Sequence, residues 1–297
     1  MATGSTLDFI LAVLFGLLTA VVNAVAVTTQ HIASNRINSE GRGWRFILDL
    51  ARQPLWLLGW LALAGSLGFQ AIALHFGPVG LVQPLLISEL IIALLIRKLF
   101  LRQQLRPITV GASIATTALL AFFIIYASPS SGRSQVPGAT WGISIVICAI
   151  VLLALVATSL KVSPMAKAGL LGTATAITWA FEAVFIKVFT DSLSAHGFVG
   201  SLSHWPIYAF VVCGLAGLYC EQAALHVGPL SVSQPLIVII DPLVSVLLGA
   251  ALFAERWRGG TPHLIAGIIT LTAISISAWV LIETSPETML KGSDSVL

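Results

Sequence analysis

The chain has 297 residues, 57% of them hydrophobic and only 9% charged, with 15 Lys and Arg against 12 Asp and Glu. A soluble domain carries about 25% charged residues, so a single water-facing fold, a disordered chain and a basic nucleic-acid-binding face are excluded. A mean hydropathy of +0.98 points instead to a polytopic membrane protein with the lipid bilayer as its surroundings.

A membrane helix needs about 20 mainly apolar residues. Nine segments qualify: 7–33, 54–75, 79–101, 107–127, 138–160, 165–190, 205–226, 230–254 and 261–283. The first reads as a span, not a cleavable leader. Asp8 is the one charge near its start, its apolar stretch is too long, and no small-residue cleavage site follows. In the segment 36–53, Trp44, Ile47, Leu48 and Ala51 recur at helical spacing opposite Arg45, Asp49 and Arg52. That pattern fits a short interfacial helix, with a plain connecting loop as the alternative. Gly77-Pro78 and Gly228-Pro229 each break a long apolar stretch in two. Pro54, Pro107, Pro164, Pro206 and Pro262 stand at span starts, where a missing N–H costs nothing. The Ser-, Gly- and Pro-rich segment 128–137 predicts a surface linker, and 284–297 a polar tail. Cys148, Cys213 and Cys220 form no metal-binding pattern. Cys213 and Cys220 lie too far apart on one helix to form a disulfide.

Orientation follows from the basic residues. One side of the membrane receives Arg36, Arg42, Arg45, Arg52, Arg97, Lys98, Arg102, Arg106, Lys161, Lys167 and Lys291. The other receives Arg133, Lys187, Arg256 and Arg258. The positive-inside rule therefore predicts an outer N-terminus and a cytoplasmic C-terminus in the cell membrane.

The chain also repeats itself. Ala73-Leu-His-Phe-Gly-Pro-Val-Gly-Leu-Val-Gln-Pro-Leu85 matches Ala224-Leu-His-Val-Gly-Pro-Leu-Ser-Val-Ser-Gln-Pro-Leu236 at eight of thirteen positions. Apolar composition alone does not reproduce His75/His226, Pro78/Pro229, Gln83/Gln234 and Pro84/Pro235. Weaker similarity sets Gly16 opposite Gly172 and Ala20 opposite Ala176. Five crossings separate equivalent spans, so the second copy is inverted relative to the first. The expected architecture is all-α, with nine transmembrane helices arranged as two inverted four-helix repeats about a central helix. Its parts are 1–127, 128–164 for the outer linker and fifth span, 165–283, and the cytoplasmic tail 284–297. Inverted repeats of this kind build many secondary transporters, with sites near the midplane where the repeats meet.

Four acids fall inside apolar spans: Glu89, Glu182, Glu221 and Asp241. A mid-membrane charge costs about 2.5–3.5 kcal/mol on insertion scales, so such residues usually face a cavity or pair with one another. Glu89 and Asp241 lie five and six residues after the paired Gln83-Pro84 and Gln234-Pro235. Pro84 and Pro235 would free the carbonyls of Gly80 and Ser231 for ion contacts. The amides of Gln83 and Gln234 can both donate and accept. Gln70 is the repeat partner of Glu221, and Gln222 is its neighbour. Glu182 precedes Lys187 by five residues, which leaves open either an internal pair or a transport role. Asn23 is a further polar candidate. His75 and His226 suit helix-end roles. No metalloprotease, serine-hydrolase, Walker A or dinucleotide motif occurs in a confirming context. The expectation is accordingly a non-enzyme without a cofactor.

The alanine-rich stretch before Gly-Pro and the following Gln-Pro-Leu resemble the drug/metabolite transporter superfamily. The chain is most similar to its nine-helix branch, which includes the NIPA-type magnesium transporters. Leu252-Phe-Ala-Glu255 also resembles the element closing a late helix in that superfamily, whereas Leu99-Phe-Leu-Arg102 replaces it in the first copy. The resemblance implies a secondary carrier with a central cavity alternately open to either side, for a small-molecule or ion substrate. Glu89 and Asp241 would bind a coupling proton or cation. As hard oxygen ligands they would also serve magnesium. Gln83, Gln234, Glu182, Glu221, Gln222 and Asn23 would line the path, while Gly77, Pro78, Pro84, Gly228, Pro229 and Pro235 shape the helix breaks. A non-transporting membrane scaffold is the rival from another class. Substrate, direction and oligomeric state stay open.

Overall fold

The computed structural model describes residues 6–35, 52–100, 102, 104–127, 129–133, 135–227, 230–257 and 259–284. Within them the apolar segments fold as α1 (Thr6–Asn35), α2 (Pro54–Phe76), α3 (Val79–Leu86), α4 (Ser88–Phe100) and α5 (Pro107–Phe122). There follow α6 (Gly138–Ser159), α7 (Pro164–Ser201), α8 (Pro206–Val227), α9 (Leu230–Phe253) and α10 (Thr261–Glu283). With α3 and α4 forming one span, nine helical segments among the described residues are long and apolar enough to cross a membrane. The chain is a polytopic all-α membrane protein. The interfacial segment, apart from Arg52 and Gln53, lies outside the described residues, as do the Gly228-Pro229 break and the tail beyond residue 284.

Proline starts the helices where expected. Pro54, Pro107, Pro164 and Pro262 occupy the first turns of α2, α5, α7 and α10, and Pro206 opens α8. The two Gln-Pro sequences behave differently. After Pro84 the helix stops at Leu86 and resumes at Ser88, with Ile87 N–H donating to the Pro84 carbonyl at 3.2 Å in a tight three-residue turn. In α9, Pro235 and Pro242 both sit inside one continuous helix. α7 runs past its expected end, and its regular geometry breaks at Gly197, whose φ of 67° and ψ of 177° suit glycine.

α1 packs on α2, α3 and α4, and α7 packs on α6, α8 and α9. α3 lies against α9, and α5 against α10. Gly16 allows α1 to approach α3, since a Cβ there would meet Leu85 Cδ1 at 3.0 Å. Gly172 does the same for α7 and α9, where a Cβ would meet the Ser233 carbonyl oxygen at 3.0 Å. Each glycine thus packs beside the Gln-Pro step of its own half. The largest core cluster joins Leu74, Val79 and Val82 to Val184, Phe185, Leu252 and Phe253 beneath the Gly77-Pro78 break. There Gly77 is closed in, because a Cβ would lie 2.6 Å from Ala12 Cβ. Gly77→Ala is expected to destabilise the fold by about 1–3 kcal/mol through overpacking, read as a lowered unfolding temperature in detergent.

The linker expected over 128–137 is more ordered than its composition suggests. Pro129–Ser130 (β1) pairs antiparallel with Arg256–Trp257 (β2). Arg133 N–H donates to the Phe253 carbonyl at 2.6 Å, and its guanidinium reaches the carbonyls of Leu252 and Ala251. The last carbonyls of α9 thus gain partners that the helix cannot supply.

Candidate functional site

Glu89 stands in the first turn of α4, just after the broken turn at Ile87. Its Oε2 accepts a hydrogen bond of 2.5 Å from Asn23 Nδ2 on α1. Ser66 Oγ on α2 lies 3.3 Å from Asn23 Oδ1 and donates at 2.8 Å to the Leu63 carbonyl. The chain Ser66–Asn23–Glu89 therefore joins three spans through side chains. Glu221 on α8 approaches closely enough to interact electrostatically with Glu89. The Gln234 side chain on α9 is in turn a hydrogen-bonding neighbour of Glu221.

A second group surrounds Asp241. Ser245 Oγ, one turn on, donates to Asp241 Oδ1 at 3.2 Å. Glu182 on α7 is an electrostatic neighbour of Asp241. Its carboxylate also lies against Gly214 of α8, where a Cβ would meet Oε1 at 3.1 Å. Pro242 follows Asp241 directly. Lacking an N–H, it leaves the Val238 carbonyl without its usual helical partner. All four acids are half-buried. Among the described residues, no salt bridge joins any of them to a basic side chain.

The other candidates fall around these groups. Gln83 is buried in α3, only 3% exposed, and Gln222 is exposed beside Glu221. Gly80 interacts through its amide, described below. Glu182 and Lys187 form no pair with each other. Residues five apart project about 140° apart on a helix, and facing neighbours stand three or four apart. Lys187 Nζ instead donates to the carbonyls of Leu74 at 2.7 Å and Gly77 at 3.0 Å. It also lies 5.7 Å from the centre of the Phe253 ring. His75 Nδ1 is 3.8 Å from Asp191 Oδ1, at the helix end where an interface role is expected. Among the described residues, no three His, Cys, Asp or Glu side chains are grouped to hold a metal ion.

Glu255 is buried just past the end of α9. Its Oε1 accepts from Val79 N–H at 2.7 Å and its Oε2 from Gly80 N–H at 3.0 Å. Burial pushes this carboxyl up to about 7, while the Gly80 amide, Lys187 and the Val79 amide pull it back toward the ionised form. A folded value above the ordinary 4.5 means the fold binds the proton more tightly than the unfolded chain. This contribution is therefore fully present at low pH and is lost as pH rises from about 4.5 to about 7. Thermal unfolding across that window is expected to show the slope, and Glu255→Gln to flatten it.

The helices and buried polar groups define a membrane protein with a polar interior. The chain is 26% identical over 285 residues to an uncharacterized protein of Corynebacterium glutamicum, covering 96% of this chain and 98% of the relative. No protein-family profile matches the chain, and no solved structure matches it.

Proposed function

We propose that the protein is a secondary-active transporter of a small solute, working by alternating access and coupled to protons or another ion. One observation carries this reading. Four carboxyls, Glu89, Glu182, Glu221 and Asp241, lie half-buried within spans and form no salt bridge to a basic side chain among the described residues. Acids placed at such depth are costly unless they serve a polar path. Neighbouring carboxyls favour sharing protons or binding a cation over joint ionisation.

The inverted-repeat arrangement supports the same reading. Gly16 and Gly172 pack beside the Gln-Pro steps of their respective halves. Arg102 and Ala254, which follow the third and eighth spans, both adopt left-handed backbone geometry, with φ of 52° and 55°. The resemblance to the drug/metabolite transporter superfamily, the orientation with the N-terminus outside, and the cell membrane as location belong to this proposal. The unpaired acids favour a cationic solute. Magnesium is the narrower alternative, since it keeps several waters and needs only one or two protein carboxylates.

The test is flux into proteoliposomes under an imposed proton gradient, first of magnesium and then of organic cations. Saturable magnesium flux supports the narrower reading. Flux of an organic cation alone supports the broader one. Well-folded protein that moves no solute would leave the scaffold reading standing.

A further inference from the structure

We infer that Lys187 and Glu255 form a latch across the Gly77-Pro78 break, and that this charged latch holds one face of the transporter shut. The inference rests on the transport reading above and adds which side is closed and by what.

The break leaves two orphaned helix ends side by side. The last carbonyls of α2 carry partial negative charge, and the first amides of α3 carry partial positive charge. The second half of the chain supplies the matching charge to each. Lys187 of α7 donates to Leu74 and Gly77 at the α2 end. Glu255, between α9 and α10, accepts from Val79 and Gly80 at the α3 end. Space is cleared for this arrangement: a Cβ on Gly249 would collide with the Glu255 carboxylate, and one on Gly80 would meet Pro129 Cγ at 2.8 Å. Phe253 lies beside Lys187 Nζ, and Arg133 straps the adjoining loop to the end of α9. Elements far apart in sequence thus converge on one break, and its sealing depends on contact between the two halves.

The Lys/Arg count assigns the Gly77-Pro78 face to the outside. The resting protein is then closed outward, and opening that face breaks four charge-assisted hydrogen bonds.

The experiment replaces the three native cysteines by serine and places one reporter, Val82→Cys, in the core beneath the break, where Val82 is fully buried. A membrane-impermeant maleimide is applied to intact cells. The parent is expected to label slowly. Glu255→Gln and Lys187→Met are each expected to label about tenfold faster or more, the factor that one charge-assisted hydrogen bond commands. Lys187→Arg, which keeps the donor charge, should label as slowly as the parent. Should an interior variant not yield monodisperse protein, Arg133→Ala at the exposed rim reads the same closure. Labelling as slow as the parent's in folded variants overturns the latch, whatever the flux. Faster labelling in a protein that moves no solute retains the closure and overturns the transport reading instead.

Discussion

Replacing Glu89 by glutamine is expected to abolish proton-driven flux while the protein still folds. The exchange keeps shape and volume but removes the negative charge that Asn23 Nδ2 meets at 2.5 Å. A hydrogen bond to a charged group contributes about 1.5–3 kcal/mol, so binding at this point alone should weaken by about 10- to 100-fold. The coupling loss goes further, because an amide takes up no proton and leaves Glu221 without a titrating neighbour. Flux that survives should therefore lose its dependence on the imposed pH gradient. Asn23→Leu is the milder companion: Glu89 remains but loses its donor, and a loss of about tenfold with gradient dependence retained is expected. Undiminished, gradient-driven flux in Glu89→Gln would remove this carboxyl from the path. Uptake into proteoliposomes at matched protein incorporation decides the matter.

Asp241→Asn should have an effect of similar size, for a different local reason. Asp241 is held by Ser245 from its own helix and has Glu182 of α7 as an electrostatic neighbour. Pro242 beside it leaves a carbonyl one turn back free to add an oxygen to any bound cation. With Asp241 and Glu182 as electrostatic neighbours, the double variant Asp241→Asn/Glu182→Gln is expected to lose less than the product of the single losses. Strictly multiplicative losses would show that the two carboxyls work separately. Initial rates over a range of substrate concentrations distinguish these outcomes.

Much of the fold was legible in the sequence because a bilayer imposes one dominant constraint. Backbone groups in hydrocarbon must be satisfied within the segment, so an apolar run of sufficient length becomes a helix. Proline and Gly-Pro then mark the ends. The four acids and Asn23 were legible for the same reason, since polar residues stand out against an apolar run. Ser66 and Ser245 were less legible, because small hydroxyls serve equally as packing residues. The contacts of Glu255 were hidden too, since it lies outside any span and meets Val79 only after some 175 residues of intervening chain. Lys187 was visible but its partners were not, because they are backbone carbonyls, which sequence does not distinguish. The differing fates of Pro84 and Pro235 were equally hidden. One motif gives a broken helix and the other a continuous one, according to what each packs against.

The length of α7 has a mechanical consequence. Its regular portion before Gly197 measures about 50 Å at the usual rise per residue, whereas the hydrocarbon layer is about 30 Å thick. The excess length makes α7 a stiff lever that carries both Glu182 and Lys187. A small tilt at one end becomes a displacement of several ångströms at the other end of the regular portion, where Ala195 and His196 are exposed. Spin labels at that end would report motion of the helix that carries both groups, with no probe placed in the interior.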